Sequence, residues 1–381
     1  MATTVSATAS PTQADTVAPG AMPRRLISLD IFRGMTIAGM ILVNNAGNWD
    51  AVYWPLEHAK WHGWTPTDLI FPFFLFIVGV SMVLSFDTRQ SGGASRAELL
   101  SHAVRRSAII YLIGFALALG GASLHLHTVR FYGVLPRIAA VYLAASVIVL
   151  YCGRRARVAI AAGLLVGYWL LMTRVPGFDL TMDGNLAGAL DRRLLYNHLW
   201  IEHRFDPEGL LSTLPAIVTT LMGVFTGEWL RRREHGMSKV QGMVIAGGLC
   251  MGAGELWGRW FPINKNLWTS SYVLFTGGFA LAALALCYWM VEIRGWRRWG
   301  APFVWYGSNA ITVYAASSAL AVCSVKLHVR PGLTCKAWVY RNLFAPLAQP
   351  LNASALYASA YVLAFLVLAW VMYRNKIFVK I

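Results

Sequence analysis

Polar side chains that could carry proton transfer are concentrated between residues 44 and 68. Asn44 ends an apolar stretch, and His58 and Asp68 follow it, both within the segment EHAKWHGWTPTD. A neutral imidazole is the usual proton acceptor near neutral pH, and a nearby carboxylate can orient it. The sequence therefore predicts a general base at His58. The alternative is a hydrated loop histidine flanked by the tryptophans of an interfacial belt.

Two acidic residues in these polar segments also fit the pattern of a helix cap. Thr65, Pro66 and Asp68 have the spacing of a capping box at a helix start. Glu208 precedes an apolar run that begins near Leu210, so it either contacts a ligand or caps that helix. For Asp68 the two roles are compatible, because a carboxylate at a helix start can also orient an imidazole.

Several cations lie where an anion could be held. Asp30 and Arg33 are three residues apart on one helical face, which predicts an ion pair. Arg137 lies just inside an apolar run, where an unpaired charge is costly, so it indicates either an anionic ligand or a buried partner. Lys265 and Asn266 belong to the segment PINKNLW, which could hold an anion or a sugar hydroxyl. The alternative for Lys265 is a side chain that extends to the membrane interface.

The histidines and cysteines do not predict a metal site. His125 and His127, together with His198 and His203, have no carboxylates at metal-ligand spacing. The five cysteines form no CxxC pair, so neither a zinc site nor a redox motif is expected.

The composition is that of a membrane protein. Of the 381 residues, 57% are apolar and 13% are charged, against roughly 25% charged residues in soluble domains. The net charge of +16 would suggest a nucleic-acid partner in a soluble protein, but the excess of cations in cytoplasmic loops explains it here. We therefore expect no nucleic-acid partner, and we expect chemistry or transport in or beside the bilayer.

Apolar runs of spanning length predict an all-α polytopic membrane protein with about ten transmembrane helices. The runs lie near residues 28–46, 67–86, 104–121, 134–151, 156–172, 211–230, 240–258, 270–292, 300–322 and 355–373.

The loops between these runs predict the orientation of the chain. The short loops CGRRAR, RRREHGMSK and IRGWRRWG are densely basic, whereas the alternate loops are longer and contain most of the loop His, Asn and Trp residues. The positive-inside rule therefore places both termini in the cytoplasm. Residues 1–23 are rich in Ala, Thr, Ser and Pro and contain neither a basic residue nor an apolar core. They predict a disordered leader rather than a signal peptide.

Six sequence blocks, in order, resemble the heparan-α-glucosaminide N-acetyltransferase family of transmembrane acetyltransferases. The resemblance extends from Leu26 to Ile381. The blocks are RLxSLDxFRG, MxxVN, HAxWxGxTxxDLxFPxFxFxxG, FDPEGLLST, PxNKNLWxxSY and YRNKIFxKI.

The resemblance implies transfer of an acetyl group from cytoplasmic acetyl-CoA to the amine of a terminal glucosamine across the membrane. It also implies one transmembrane acyltransferase domain over residues 24–381, without a metal cofactor. The residues that match the family's catalytic positions are His58, Asn44 and Asp68. The residues that we assign to acetyl-CoA, whose phosphates need cations, are Arg33, Arg137, Lys265 and Asn266. The residues that we assign to the acceptor are Trp61, Glu208, Asn264 and Trp268.

The short leader and the basic inner loops favour a multi-pass protein of a bacterial inner membrane. For such a protein we expect a periplasmic amino sugar smaller than heparan as the acceptor. The expected partners are acetyl-CoA, this amino sugar and the lipid bilayer. A homodimer is compatible with the resemblance, although no sequence feature defines an interface.

The sequence leaves both the mechanism and two rival functions open. His58 acts either as a base in direct transfer or as a nucleophile that forms an acetyl-imidazole. The first rival function is an amino-sugar permease in which the same polar residues line an alternating-access path. The second is a membrane-embedded scaffold in which they are structural. The concentration of His, Trp and Asn at one face argues against the permease, because a transporter binds its substrate near the midplane.

Overall fold

A computed structural model describes residues 26–200, 205–232 and 234–379, so the predicted leader over residues 1–23 and His203 lie outside the described residues. The described chain forms thirteen α-helices and one antiparallel hairpin, β1 (His328–Arg330) and β2 (Leu333–Thr334). The helices are α1 (Ile27–Val43), α2 (Ile70–Ser91), α3 (Arg96–Gly121), α4 (Val134–Tyr151), α5 (Arg154–Arg174), α6 (Leu186–Leu195), α7 (Thr213–Leu230), α8 (Gly236–Gly258), α9 (Ser270–Tyr288), α10 (Ala301–Ser308), α11 (Ala310–Lys326), α12 (Cys335–Val339) and α13 (Pro350–Arg374).

The predicted apolar runs coincide with helices or, for the run near 300–322, with the pair α10 and α11. In the described part of the chain, six helices are long and apolar enough to cross a bilayer, and the bent pair is a seventh candidate. The six are α2 with the turn before it, α3, α4, α5, α9 and α13. The helical architecture is confirmed and suits a membrane protein, whereas ten spans and cytoplasmic termini stay predictions.

The ninth run is two helices rather than one. The axes of α10 and α11 differ by 72° across Asn309, whose backbone leaves the helical region. The Asn309 side chain satisfies the polar groups of the C-terminal tail, because its Nδ2 donates to the Ile377 carbonyl oxygen at 2.9 Å and its Oδ1 accepts from the Val379 amide at 3.0 Å. The bend lies at a residue that contacts a distant part of the chain, so the apolar pattern of the run does not reveal it.

Helix α2 begins directly after the predicted capping box, which the structure confirms. Thr65 precedes a 3₁₀ turn over Pro66–Leu69, and the Asp68 carboxylate accepts from the Thr65 amide at 3.0 Å. The turn leads directly into α2, so the Asp68 side chain is held at the start of a long buried helix.

Helices α2 and α7 pack closely at two glycines in the middle of the bundle. A β-carbon at Gly79 would lie 2.0 Å from the Thr220 carbonyl oxygen, and one at Gly223 would lie 1.9 Å from the Phe76 carbonyl oxygen. Only glycine permits this approach, which brings the two backbones into contact. The packing fixes α2, and with it Asp68, against the centre of the bundle.

Candidate active site

His58 and Asp68 form a hydrogen-bonded pair at the start of α2. The His58 Nδ1 lies 2.7 Å from the Asp68 Oδ1. The Asp68 side chain is 1% exposed, whereas the His58 side chain is 47% exposed. The pair therefore combines a buried carboxylate with an imidazole that a substrate can reach.

The backbone holds the Asp68 carboxylate in this orientation. Its Oδ2 accepts from the amides of Ala59 and Thr65, both at 3.0 Å, and the Asp68 carbonyl oxygen accepts from the Tyr272 hydroxyl at 2.5 Å. With Oδ2 engaged, Oδ1 is directed to the His58 Nδ1. This arrangement favours the tautomer with its proton on Nδ1, which leaves the Nε2 lone pair to accept a proton.

Lys265 joins the pair from the loop between α8 and α9. Its Nζ lies 2.9 Å from the His58 Nδ1, 3.1 Å from the His58 Nε2 and 3.5 Å from the Asp68 Oδ1. Burial lowers the pKa of Lys265, although the Asp68 and Glu208 carboxylates oppose that shift. The sequence assigned Lys265 to acetyl-CoA, whereas the structure brings its ammonium to the predicted general base.

The residues around Lys265 build a rigid turn. Asn264 is fully buried, and its Oδ1 accepts from the Leu267 amide at 2.9 Å. Trp268 has a φ of +51°, and its Nε1 donates to the Thr219 hydroxyl at 3.1 Å. Asn264 and Trp268, predicted to bind the acceptor, are thus buried in the segment that holds Lys265. The half-buried Asn266 lies between them.

Trp61, also predicted to contact the acceptor, is anchored by its own loop neighbours. Its Nε1 donates to the Leu180 carbonyl oxygen at 2.8 Å, and its ring meets Phe205 edge-on with centroids 5.2 Å apart. These contacts tie the loop that carries His58 to the segment before α6, through Leu180, and to the segment before α7, through Phe205.

A second charged cluster lies beside the pair. The Arg130 guanidinium binds Asp206 through two nitrogens, with Nε 2.7 Å from Oδ2, and also contacts the Glu208 carboxylate. Burial opposes ionisation of Glu208, but the charges of Arg130, Arg137 and Lys265 outweigh it and lower the pKa of Glu208. Glu208 was predicted to bind the acceptor, and the structure pairs it with Arg130. Sequence reasoning gave Arg130 no role, and its position shortly before the apolar run that forms α4 was the available signal.

Arg137 is buried beneath this cluster. It is 1% exposed, its Nη2 donates to the Gly209 carbonyl oxygen at 3.1 Å, and its guanidinium lies 5.0 Å from the centroid of the Trp268 ring. Its Nε and Nη1 have no hydrogen-bond partner among the described residues. In the described chain, Arg137 thus has buried partners for Nη2 only, and both alternatives, a buried partner and an anionic ligand, stay predictions.

Asn44 lies on the wall of a cavity of about 730 Å³. Asn44 is exposed there, whereas the next residue, Asn45, is buried and donates to the Ile41 carbonyl oxygen at 2.8 Å. Within the described chain, no hydrogen bond joins Asn44 to His58 or Asp68. Other polar or aromatic residues on this wall are Trp49, Arg130, Tyr132, Trp200, Tyr314, Lys326, Lys336 and Tyr357.

Arg33 lines a second, smaller cavity of about 230 Å³. It forms the predicted ion pair with Asp30 at 3.0 Å, and its Nη2 donates to the Ser81 hydroxyl at 2.7 Å. Arg106 lines the same cavity with its guanidinium 4.8 Å from the Tyr142 ring centroid, and its Nε is buried with no hydrogen-bond partner in the described chain. Sequence reasoning did not assign Arg106 to this cavity. Its unsatisfied nitrogen makes the cavity suitable for an anion.

The two cavities follow the same four helices. Helices α1, α3, α4 and α11 contribute Arg33, Arg106, Ile138 and Ala310 to the smaller cavity. Asn44, directly after α1, and Gly114, Leu135 and Tyr314 of α3, α4 and α11 line the larger one. The two cavities are therefore bordered in part by the same helices.

Comparisons with known proteins agree with the sequence blocks. Residues 25–259 match the family described as heparan-alpha-glucosaminide N-acetyltransferase, catalytic. The chain is 29% identical to the heparan-alpha-glucosaminide N-acetyltransferase of Homo sapiens over 424 aligned residues, which cover 95% of this chain and 60% of the human protein. It is 30% identical to the Mus musculus protein of that name, over 82% of this chain and 57% of the mouse protein. The chain thus spans about three fifths of the length of these curated relatives. The resemblance is confirmed, and the chain belongs to the heparan-alpha-glucosaminide N-acetyltransferase family.

Proposed function

We propose that this protein is a transmembrane N-acetyltransferase of a bacterial inner membrane. It transfers the acetyl group of cytoplasmic acetyl-CoA to the amine of a glucosamine-type sugar on the periplasmic side. The observation that carries the proposal is the half-exposed imidazole of His58 on the buried carboxylate of Asp68, 2.7 Å apart and inside the region that matches the family.

The chemistry follows from the state of the imidazole. With its Nδ1 proton donated to Asp68, neutral His58 takes a proton at Nε2 from the acceptor amine as that nitrogen attacks the thioester carbonyl carbon. Asp68 then stabilises the imidazolium that forms. Direct transfer of this kind requires one aligned geometry. We propose Asn44 as the donor to the carbonyl oxygen as negative charge develops on it.

The two cavities support a path for the thioester across the bilayer. Arg33 and Arg106 are suited to hold CoA phosphates at the smaller cavity, because Arg106 has an unsatisfied buried nitrogen there. The pantetheine arm would then follow α1, α3, α4 and α11 toward Asn44. Trp49 and Trp200 on the wall of the larger cavity present aromatic faces suited to a sugar ring.

The proposal is tested in sealed vesicles that contain the purified protein. Acetyl-labelled acetyl-CoA is supplied on one side and glucosamine on the other, and labelled N-acetylglucosamine is measured. We expect product with the wild type and a loss of about 10²–10⁴-fold with His58→Ala, which removes the proton acceptor. His127→Ala, in an exposed loop position, is the matched histidine control and should retain wild-type activity.

Two outcomes would contradict the proposal. Equal activity of the wild type and His58→Ala would remove His58 from the chemistry. Equilibration of glucosamine across the vesicle membrane without acetyl-CoA, and without labelled product, would replace the enzyme with a permease.

A further inference from the structure

The Lys265 ammonium lies close enough to the His58 ring to exchange a proton with it. Its Nζ lies 2.9 and 3.1 Å from the two ring nitrogens of His58, which is within hydrogen-bond distance of both. These residues are 207 positions apart in sequence. A proton on the His58 Nε2 can therefore pass to Lys265 without an intervening water molecule.

The turn around Lys265 limits where its ammonium can go. The Lys265 carbonyl oxygen accepts from the Trp268 amide at 3.1 Å, and the buried Asn264 holds the same turn through Leu267. The Lys265 side chain is only 16% exposed. The side chain is therefore committed to His58 and Asp68, and it is poorly placed to serve as a free cation for the CoA phosphates.

The charges that face Lys265 are of both signs. Asp68, at 3.5 Å, and Glu208 favour its ammonium form, whereas Arg137 disfavours it. Burial outweighs the two carboxylates and lowers the pKa of Lys265, so it gives up a proton more readily than an exposed lysine. A lowered lysine pKa makes the ammonium a stronger acid, which favours proton donation to a leaving group.

We propose that Lys265 is a second catalytic residue, the proton donor to the departing CoA thiolate, and that His58 restores its proton after each transfer. The inference rests on the proposed acetyltransferase function. It adds a general acid, Lys265, to the proposed general base, His58.

Every proton and electron pair in the proposed acetyl transfer has a defined destination. The neutral amine nitrogen forms a bond to the acetyl carbonyl carbon while its proton goes to the His58 Nε2, and the carbon–sulfur bond breaks with its electron pair on sulfur. The Lys265 ammonium protonates that sulfur, so CoA leaves as the thiol and the product is the amide. The His58 imidazolium then passes its proton to the neutral Lys265 amine, which returns both side chains to their starting states.

The test compares two acetyl donors whose leaving groups differ in their need for a proton. Acetyl-CoA releases an alkyl thiolate, which benefits from protonation, whereas 4-nitrophenyl thioacetate releases a thiolate that is stable at neutral pH. The variants are Lys265→Met, which keeps an unbranched side chain, and Lys265→Arg, which keeps the charge but cannot act as an acid at neutral pH. Lys60→Met, at an exposed position in the His58 loop, is the control for loss of one positive charge.

With glucosamine as acceptor, we expect both Lys265 variants to lose about 10²–10⁴-fold in kcat with acetyl-CoA. With the nitrophenyl donor, each should stay within a few-fold of the wild type measured with that same donor. The retained activity also shows that the variants fold. Lys60→Met should match the wild type with both donors.

The outcomes separate this inference from the proposed function. Equal losses with both donors, or a raised KM for acetyl-CoA with unchanged kcat, would overturn the role of Lys265 and leave the acetyltransferase standing. A wild type that transfers acetyl from neither donor would overturn the proposed function, and the role of Lys265 with it.

Discussion

Two charge clusters lie side by side in this protein, and they differ in how exposed their side chains are. Arg130 binds two carboxylates, Asp206 and Glu208, and all three side chains are at most 18% exposed. In the His58–Asp68 pair the carboxylate is equally buried, but the imidazole is half exposed and its Nε2 lies 3.1 Å from the Lys265 Nζ.

This difference indicates a structural role for the Arg130 cluster and a catalytic role for the His58–Asp68 pair. A buried ion pair whose charges are neutralised by each other holds two segments together. A buried carboxylate that orients an accessible imidazole allows that imidazole to exchange a proton with a substrate or with Lys265. We therefore expect changes in the first cluster to affect stability and changes in the second to affect turnover.

The largest expected effect follows from Asp68→Asn. The asparagine oxygen can take over the two backbone amides, which directs its NH₂ group to the His58 Nδ1 and forces that nitrogen to accept. The imidazole proton then moves to Nε2, where the base is needed. We expect kcat to fall by about 10²–10⁴-fold with a small change in unfolding temperature.

Asp87→Asn is the matched control for that change, because Asp87 lies on the surface near the other end of α2, paired with Arg231. It should retain wild-type kcat. Normal turnover in Asp68→Asn would reduce Asp68 to a helix cap and remove the distinction between the two clusters.

A smaller effect, on stability rather than rate, is expected from Arg130→Met. This change leaves Asp206 and Glu208 buried without their cation, which typically costs about 3–5 kcal/mol. The unfolding temperature in detergent should fall, and it should fall less at acidic pH, where the two carboxylates can take up protons. Arg174→Met, at the exposed end of α5, is the control. An unchanged unfolding temperature in Arg130→Met would show that the Arg130 cluster does not stabilise the fold.

The sequence predicted the local features of this protein well. Apolar runs locate the helices because hydrophobic length is a property of one segment. The Asp30–Arg33 pair and the capping box at Thr65 involve residues three positions apart, so their spacing alone indicates the contact. The pairing of His58 with Asp68 spans ten positions and was proposed from residue type and order.

Local sequence patterns could not predict the long-range contacts of the site. Lys265 comes to His58 across 207 positions, and Arg130 reaches Glu208 across 78. No periodicity or motif spacing encodes such pairs, because they depend on how α8, α9 and the loops before them pack. Tyr272 illustrates the same limit, since its motif was noted but its bond to the Asp68 carbonyl oxygen required the fold.

The smallest expected effect concerns Asp191, a buried carboxylate on α6 that belongs to neither cluster. Its Oδ1 accepts from the Leu210 amide at 3.1 Å, and burial, aided by the charge of Asp206, raises the pKa of Asp191 to about 6. The folded state therefore favours the protonated acid. The corresponding stability is complete below the ordinary aspartate pKa near 4 and is lost as the pH rises through about 6.

Asp191→Asn mimics the protonated acid at every pH. We expect its unfolding temperature to match the wild type near pH 4 and to exceed it increasingly up to about pH 7, with a limit of about 3 kcal/mol from a pKa shift of roughly two units. Asp179→Asn tests the sign of this pH dependence. Hydrogen bonds from Thr181 lower the pKa of the exposed Asp179, so this variant should gain no stability over the wild type as the pH rises. A pH-independent difference between Asp191→Asn and the wild type would mean that the pKa of Asp191 is the same in the folded and unfolded states. Burial of Asp191 would then have no net effect on its ionisation, and the raised pKa would be wrong.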